Sequence, residues 1–333
     1  MKIGIVILNW NGIELLKTYL PSVVEHSRDH VIYLADNAST DDSIKWTQDT
    51  YPGVQVIAMD KNRGYAGGYN VALENVQEEV VCLLNNDVAV TANWCDVIKN
   101  RFETYPKLAA CQPKIRDDKK KDHFEYAGAA GGFLDRYAYP YCRGRIFDVI
   151  EKDVGQYDDA VDVHWGSGAC LFLRKSSYDR VGAMDEDYFA HQEEIDLCWR
   201  LRHAGFIISY EPQSVVYHLG GGTLSHLNSH KTFYNFRNSL YNIVKNDHSS
   251  FWIWMLFIRM LLDGIAGVKF LCERKFSHFF AVIKAHVYFY SELRSLLDKR
   301  KAIKSFTEVG MIKKSDLSIV YQHFIKGKST YKK

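Results

Sequence analysis

Carboxylates recur in this chain where apolar, strand-like runs stop. "VIYLAD" ends on Asp36, and "VVCLL" (80–84) is followed at once by Asn85, Asn86 and Asp87. A third acidic cluster, "DEDYFAHQEEIDLCWR" (185–200), opens a helical pattern with Glu193 and Glu194. An acid at the end of a buried strand can accept from a base N–H or a ribose hydroxyl, which suits Asp36 with Asn37 beside it. A hard divalent cation takes oxygen ligands and bridges phosphates with one or two carboxylates, which suits Asp87 beside Asn85 and Asn86. Simpler roles compete at each place. An Asx turn accounts for Asp87 equally well, helix capping accounts for Thr40 to Asp42 together with Ser39, and the glutamates complement a helix dipole while Asp196 pairs with Arg200 at i,i+4. Capping leaves Asp36 and Asn37 without an explanation.

Glycines and a histidine add to the pattern. The loop "NRGYAGGYN" (62–70) carries Gly64, Gly67 and Gly68, which let backbone N–H groups approach a phosphate where a helix starts near Ala66. A tight loop needs glycines in any case. "NWNG" (9–12) holds only Gly12, where a dinucleotide-binding turn would carry GxGxxG, and this weakens a dehydrogenase reading. His218 closes the run "SVVYH" and is followed by Gly220–Gly222. A lone strand-end histidine is more often structural than a ligand.

The elements that must position these residues follow from periodicity. Runs at 3–8, 31–36, 54–59 and 80–84 start about 23 to 28 residues apart, room for one helix in each connection. Leu15, Leu16, Tyr19, Leu20, Val23 and Val24 share one helical face despite Pro21. A second helical pattern begins near Thr91. Alternating β and α elements predict an α/β fold, a mostly parallel sheet flanked by helices, whose ligands bind beyond the carboxyl ends of the strands. Further on, "RDDKKKD" (116–122) reads as a solvated turn, and the aromatic, glycine-rich stretch 126–141 suits either a substrate-facing loop or packing. "ACLFL", "FIISYE" and "SVVYH" read as strands, and 193–205 as a helix ended by Gly205.

With 333 residues and 47% hydrophobic content the chain can bury a large core. Its net charge of +2 gives no field that would select nucleic acid as a partner. Seven scattered cysteines without a CxxC pair suit free thiols in a reducing, cytoplasmic setting, and the N-terminus reads as a first strand rather than a signal peptide. The chain divides into 1–245 and a helical extension, 246–333. There, "FWIWMLFIRMLLDGIAGVKFL" (251–271) is too interrupted by charge for a span of about 20 apolar residues. Arg259, Asp263, Lys269, Glu273 and Arg274 fall within an arc of about 140°. Two readings stand: an amphipathic pair lying on an anionic membrane surface, with the basic tail "KGKSTYKK", or a helical pair packed on the rest of the chain.

In order along the chain, "VILNWNG", "ADNASTDDS", "NRGYAGGYN", "LLNNDV", "GSGACLFLRK", "HQEEIDLCWRLRHAGF" and "VVYHLGGGT" resemble family 2 glycosyltransferases, the bacterial rhamnosyltransferase-like branch in particular, over roughly residues 2–245. The resemblance implies a GT-A fold, a nucleotide-sugar donor (UDP-, dTDP- or GDP-linked), a divalent cation (Mg²⁺ or Mn²⁺), inversion at the anomeric carbon, and a glycan or lipid-linked acceptor in cell-surface polysaccharide synthesis. The apolar 251–271 segment and its basic surroundings separately suggest a peripheral position on the cytoplasmic face of the inner membrane. Carried onto this sequence, the resemblance assigns nucleotide-sugar binding to Asn9, Asn11, Asp36, Asn37, Ser39, Asn62, Gly64, Gly67, Asn70, Asn86 and Asp87, with Asp36 on the nucleobase. It assigns the metal to Asp87 and His218, and the catalytic base to the acidic pair. The chain departs from the family twice, with one acid where the DXD-type motif often has two and Glu-Glu where Glu-Asp is common. Glu194 is the expected base and Glu193 the alternative. A sugar-nucleotide pyrophosphorylase is disfavoured because "NWNGIELL" lacks a basic glycine-rich loop, and a non-catalytic carbohydrate-binding or membrane-recruited scaffold because Asp36, Asp87 and Glu194 are all retained.

Overall fold

A computed structural model describes residues 1–220, 229–309, 312 and 314–331 of the chain. The first half alternates as the periodicity predicts: β1 (Ile3–Asn9), α1 (Ile13–His26), β2 (Val31–Asp36), α2 (Ser43–Thr50), β3 (Gln55–Ala58), α3 (Gly64–Glu74) and β4 (Val80–Asn85). All four strands pair in parallel, in the order β4-β1-β2-β3. They are apolar on both faces because both are covered. Val6, Val81 and Leu83 join one core, while Ile5, Ile7, Cys82 and Leu84 join the other. Helix α1 runs unbroken through the exposed Pro21.

After β4 the chain departs from simple alternation. A short strand, β5 (Val88–Val90), follows Asp87, and α4 (Trp94–Thr104) starts three residues later than the helical pattern at Thr91 predicts, behind a left-handed Asn93. Next come β6 (Leu108–Asp117) and an antiparallel meander of β7 (Gly132–Leu134), β8 (Pro140–Cys142), β9 (Arg145–Ile146) and β10 (Val149–Ile150). The 126–141 stretch is thus largely packing. Ala129, Ala130, Leu134 and Tyr141 are buried, and Trp165 fills the space a Cβ on Gly132 would need.

The main sheet closes with β11 (Val161–Asp162), β12 (Cys170–Arg174), α5 (Lys175–Arg180), α6 (Glu193–His203) and β13 (Ile207–His218). Strand β12 lies antiparallel between β4 and β6, and β13 lies parallel to β6. The two strands expected at "FIISYE" and "SVVYH" form one, because a register shift between Glu211 and Val215 accommodates Pro212, which has no N–H to give the ladder.

Helices α7 (Ser229–Asn246), α8 (Trp252–Cys272) and α9 (Phe276–Ser305) pack together on this body. The polar arc of α8 turns inward. Buried Arg259 stacks on Tyr139 at 3.5 Å and pairs with buried Asp263 at 3.3 Å, which also meets His286. Its apolar side faces outward, with Trp254 61% and Ile265 66% exposed, and Phe280 and Val287 of α9 are similarly open. Among the described residues no helix is long and apolar enough to cross a membrane.

An ionic cluster joins these helices to α6. Asp196, fully buried, accepts from Arg200 at 2.8 Å and from Lys245 at 2.7 Å, and Lys245 also binds Asp185, which Lys299 of α9 reaches at 2.6 Å. Removing one partner of a buried pair strands the other charge, at a cost of roughly 3–5 kcal/mol. Asp196→Ala is expected to lower unfolding stability by about that amount in denaturant titration, and a loss under about 1 kcal/mol would contradict the cluster's role.

Candidate functional site

The carboxyl ends of β1, β2 and β4 meet in a network of short amides and acids. Asn9 donates from Nδ2 to Asp36 Oδ2 at 3.0 Å and to Ser39 Oγ at 3.3 Å, and its Oδ1 accepts from Asn86 Nδ2 at 2.9 Å. Asp36 Oδ1 accepts from the Ser39 N–H at 2.8 Å. Asn11, held at φ 49°, accepts from the Thr40 N–H at 2.7 Å while its own N–H donates to Ser39 Oγ. A side chain at position 12 would collide with both the Asn86 and Asn9 amides, at 2.3 and 2.5 Å, so Gly12 is the residue that lets them pair. Capping falls to Asp41, which receives the Ser43 N–H of α2 and the Ile13 N–H of α1.

Asn37 ties this network to the glycine loop. Its Nδ2 donates to the Gly64 carbonyl at 2.9 Å and to Asn62 Oδ1 at 3.2 Å, and its Oδ1 accepts from the Arg63 N–H. Helix α3 starts at Gly64, two residues before the predicted start, with that residue at φ +69° and close against Phe189. The other two glycines serve packing within the chain: a Cβ on Gly67 would press on Arg63 and Glu186, and one on Gly68 on Leu8 and Asn37. Asn70 stands apart from the network, its amide engaged by Met184, Glu186 and Tyr178.

Strand pairing, rather than sequence proximity, brings Asp87 to His218. The antiparallel ladder of β5 on β13 sets Val88 opposite His218, and the Leu219 N–H donates to the Asp87 carbonyl at 3.1 Å. His218 Nε2 then lies 3.1 Å from Asp87 Oδ1, and Nδ1 lies 3.3 Å from Oε1 of Glu125, all three residues being buried. Burial works against a charged ring, yet the Glu125 and Asp87 carboxylates outweigh it and raise His218 to about 10. A site that keeps positive charge between two carboxylates is electrostatically suited to a divalent cation. Among the described residues no set of three or more His, Cys, Asp or Glu side chains converges as a complete ligand cage. Asp87 Oδ1 and His218 Nε2 lie side by side as one potential oxygen and one potential nitrogen donor, a set that a cation completed by phosphate oxygens and water could use.

The acidic pair lies at the start of α6, after a strained approach in which Phe189, His191 and Gln192 all have positive φ. Glu193 is buried and Glu194 is partly exposed, and one Oε2 of each is buried without a hydrogen-bond partner. Burial raises Glu194 to about 7, and burial together with the Glu194 charge holds Glu193 well above the usual carboxylate range. Asn85 N donates to the Ala169 carbonyl at 3.0 Å, while the hydroxyl of Tyr65, whose phenol feels both glutamates, donates to the neighbouring Gly168 carbonyl at 2.5 Å. Sequence reading missed Tyr65 and Glu125. The first is hidden among loop glycines, and the second comes beside His218 only because the chain after β6 folds back, Glu125 N donating to the Ile115 carbonyl.

Comparison with known proteins places this geometry. The chain is 27% identical over 243 residues, 66% of its length and 76% of the relative's, to an N-acetylglucosaminyl-diphospho-decaprenol L-rhamnosyltransferase of Mycobacterium tuberculosis. It is 24% identical over 221 residues, 62% of its length and 80% of the relative's, to the rhamnosyltransferase WbbL of Escherichia coli. Among solved structures, a mannosyltransferase of Pyrobaculum calidifontis in complex with GDP-Man and Mn²⁺ matches at a TM-score of 0.54, covering 87% of each chain at 12% identity, a likeness of fold. The family model for glycosyl transferase family 2 matches residues 4–182, more than half of the chain, and the chain belongs to that family.

Proposed function

We propose that the chain transfers a rhamnose-class sugar from a nucleoside-diphosphate donor to a hydroxyl of a lipid-linked glycan, with inversion, in cell-surface polysaccharide synthesis. The sugar and the lipid-linked acceptor are suggested by the names of the relatives above. The observation that carries the reading is the division of labour at the site. Asp87 and His218 form a paired-donor end, and Glu194, with its unpartnered buried oxygen at the start of α6, forms a proton-accepting end.

The chemistry is a single in-line displacement. Asp36 receives the nucleobase or ribose while Asn9 and Asn37 hold its surroundings rigid. Asp87 and His218 would hold a divalent cation, which would supply Lewis-acid stabilisation of the departing diphosphate. Glu194 takes the proton of the acceptor hydroxyl as its oxygen attacks the anomeric carbon from the opposite face, and a single displacement inverts the configuration. Glu193 is the more buried of the two, and burial with the neighbouring Glu194 charge disfavours its carboxylate, so Glu194 is the member assigned as base.

The acceptor's lipid would meet the outward apolar side of α8 and α9. Trp254, Ile265 and Phe280 are exposed there, and Lys269 of α8, Lys284 of α9 and Lys275 between them add positive charge, which suits the anionic cytoplasmic leaflet.

Four outcomes test this reading. In a thermal-shift panel of UDP, dTDP and GDP with Mn²⁺ or Mg²⁺, one nucleotide is expected to stabilise the protein by about 2.7 kcal/mol at a hundred times its dissociation constant. Asp87→Ala should abolish the metal-dependent part, and the absence of any shift would sink the donor reading. The rate of transfer should fall about tenfold per pH unit below about 7, because Glu194 works only as the carboxylate present above that value. Glu194→Gln should lose about 10²–10⁴ in kcat, and a variant that keeps full rate would remove Glu194 as base. Full-length protein should float with anionic liposomes at low salt, and the double change Trp254→Glu with Phe280→Glu should weaken that binding by at least about tenfold. No flotation by the unaltered protein would refute the membrane assignment.

A further inference from the structure

We propose that Glu125 is a positioning residue that holds the imidazole of His218 with Nε2 turned toward Asp87, presenting the two donors pre-aligned to a divalent cation. The inference rests on the reading of Asp87 and His218 as the cation site, and it names a residue from a loop that carries no motif. Three strand ends meet here. Asp87 leads into β5, His218 ends β13, and Glu125 is placed by the return of the chain along β6. An imidazole can bind a metal through one nitrogen only if the other is satisfied, and the group that satisfies it fixes the ring's orientation and tautomer.

At this site the second nitrogen is committed by geometry. Nδ1 of His218 is fully buried with no well-aligned hydrogen bond, and Glu125 Oε1, 3.3 Å away, is the acceptor facing it among the described residues. The carboxylate is itself fixed. Its Oε2 accepts from the Ala127 N–H at 2.5 Å, and only about 4% of Glu125 is exposed. The chain beyond His218 makes room for it. Gly220 sits at φ +65°, and a Cβ there would lie 3.0 Å from Glu125 Oε1, so any side chain would crowd the carboxylate that faces the ring. This gives at least one member of the glycine run after His218 a specific use.

The test is a titration of Mn²⁺, with free ion counted by electron paramagnetic resonance, into full-length protein saturated with whichever nucleoside diphosphate stabilises it most. Glu125→Ala should weaken Mn²⁺ binding about 10–100-fold, and Glu125→Met, of similar length but without an acceptor, should do the same if the alanine variant fails to fold. Glu125→Gln keeps one oxygen to accept from Nδ1–H but turns an NH2 toward the Ala127 N–H, so its Mn²⁺ affinity should fall between that of the alanine variant and that of the unaltered protein. Mn²⁺ affinity unchanged in Glu125→Ala or Glu125→Met, with Asp87→Ala binding lost, overturns the positioning role alone. Unchanged affinity in Asp87→Ala overturns the cation site and the inference together.

Discussion

The buried carboxylate of Asp196 is the constraint on which the arrangement of the molecule depends. It sits one turn into α6, the helix whose first two residues are Glu193 and Glu194, and is held by Arg200, Lys245 and the Asn246 amide. Through Lys245 it connects to Asp185, and through Asp185 and Asp187 to Lys299 of α9. Three acids face three bases, so the cluster as a whole carries no net charge and its desolvation is offset internally. The acid-rich segment 185–200 thereby divides by partner. Asp185, Asp187 and Asp196 are paired and structural, whereas Glu193 and Glu194 each keep an unmatched buried oxygen, which is where proton chemistry remains available.

The opposite end of the site is governed by backbone pairing. Three residues of β5 suffice, because their antiparallel ladder with β13 fixes the register of Asp87 against His218. Glycine is required at two flanking positions for steric reasons. Gly12 admits the Asn9–Asn86 amide pair, and Gly220 admits the Glu125 carboxylate. Rigidity there is useful. Donors held before a ligand arrives do not have to be ordered at the moment of binding.

Much of this was legible in the sequence, for reasons that can be named. The four parallel strands have apolar runs bounded by helix-length connections, and a parallel sheet directs its strand ends, here Asp36 and Asn85–Asp87, to one edge. Strand direction was not legible, since "ACLFL" has the same apolar composition whether it runs parallel or, as β12 does, antiparallel. "FIISYE" and "SVVYH" read as two strands, and Pro212 between them lies at a bulge within one long strand. Glu125 and Tyr65 reach the site only through long-range folding, and no local pattern marks them. The loop glycines were half legible, Gly67 and Gly68 proving to serve packing against Glu186 and Leu8.

Helix α8 shows why periodicity cannot orient a helix. The charged arc was visible in the sequence, but a moment has no sign with respect to the core. Arg259 and Asp263 turn inward because Tyr139 offers a ring face and His286 a second partner, so the charges are matched when buried. The consequence is an outward surface of Trp254, Ile265 and Phe280, an arrangement that a water-facing helix would avoid and a lipid-facing one would favour. Because Lys299 of the adjoining α9 ends in the same ionic cluster that anchors α6, this apolar surface and the proposed base are held through one set of buried charges. A lipid-linked acceptor resting on that surface would then meet a base whose position is set by the same contacts that shape the surface.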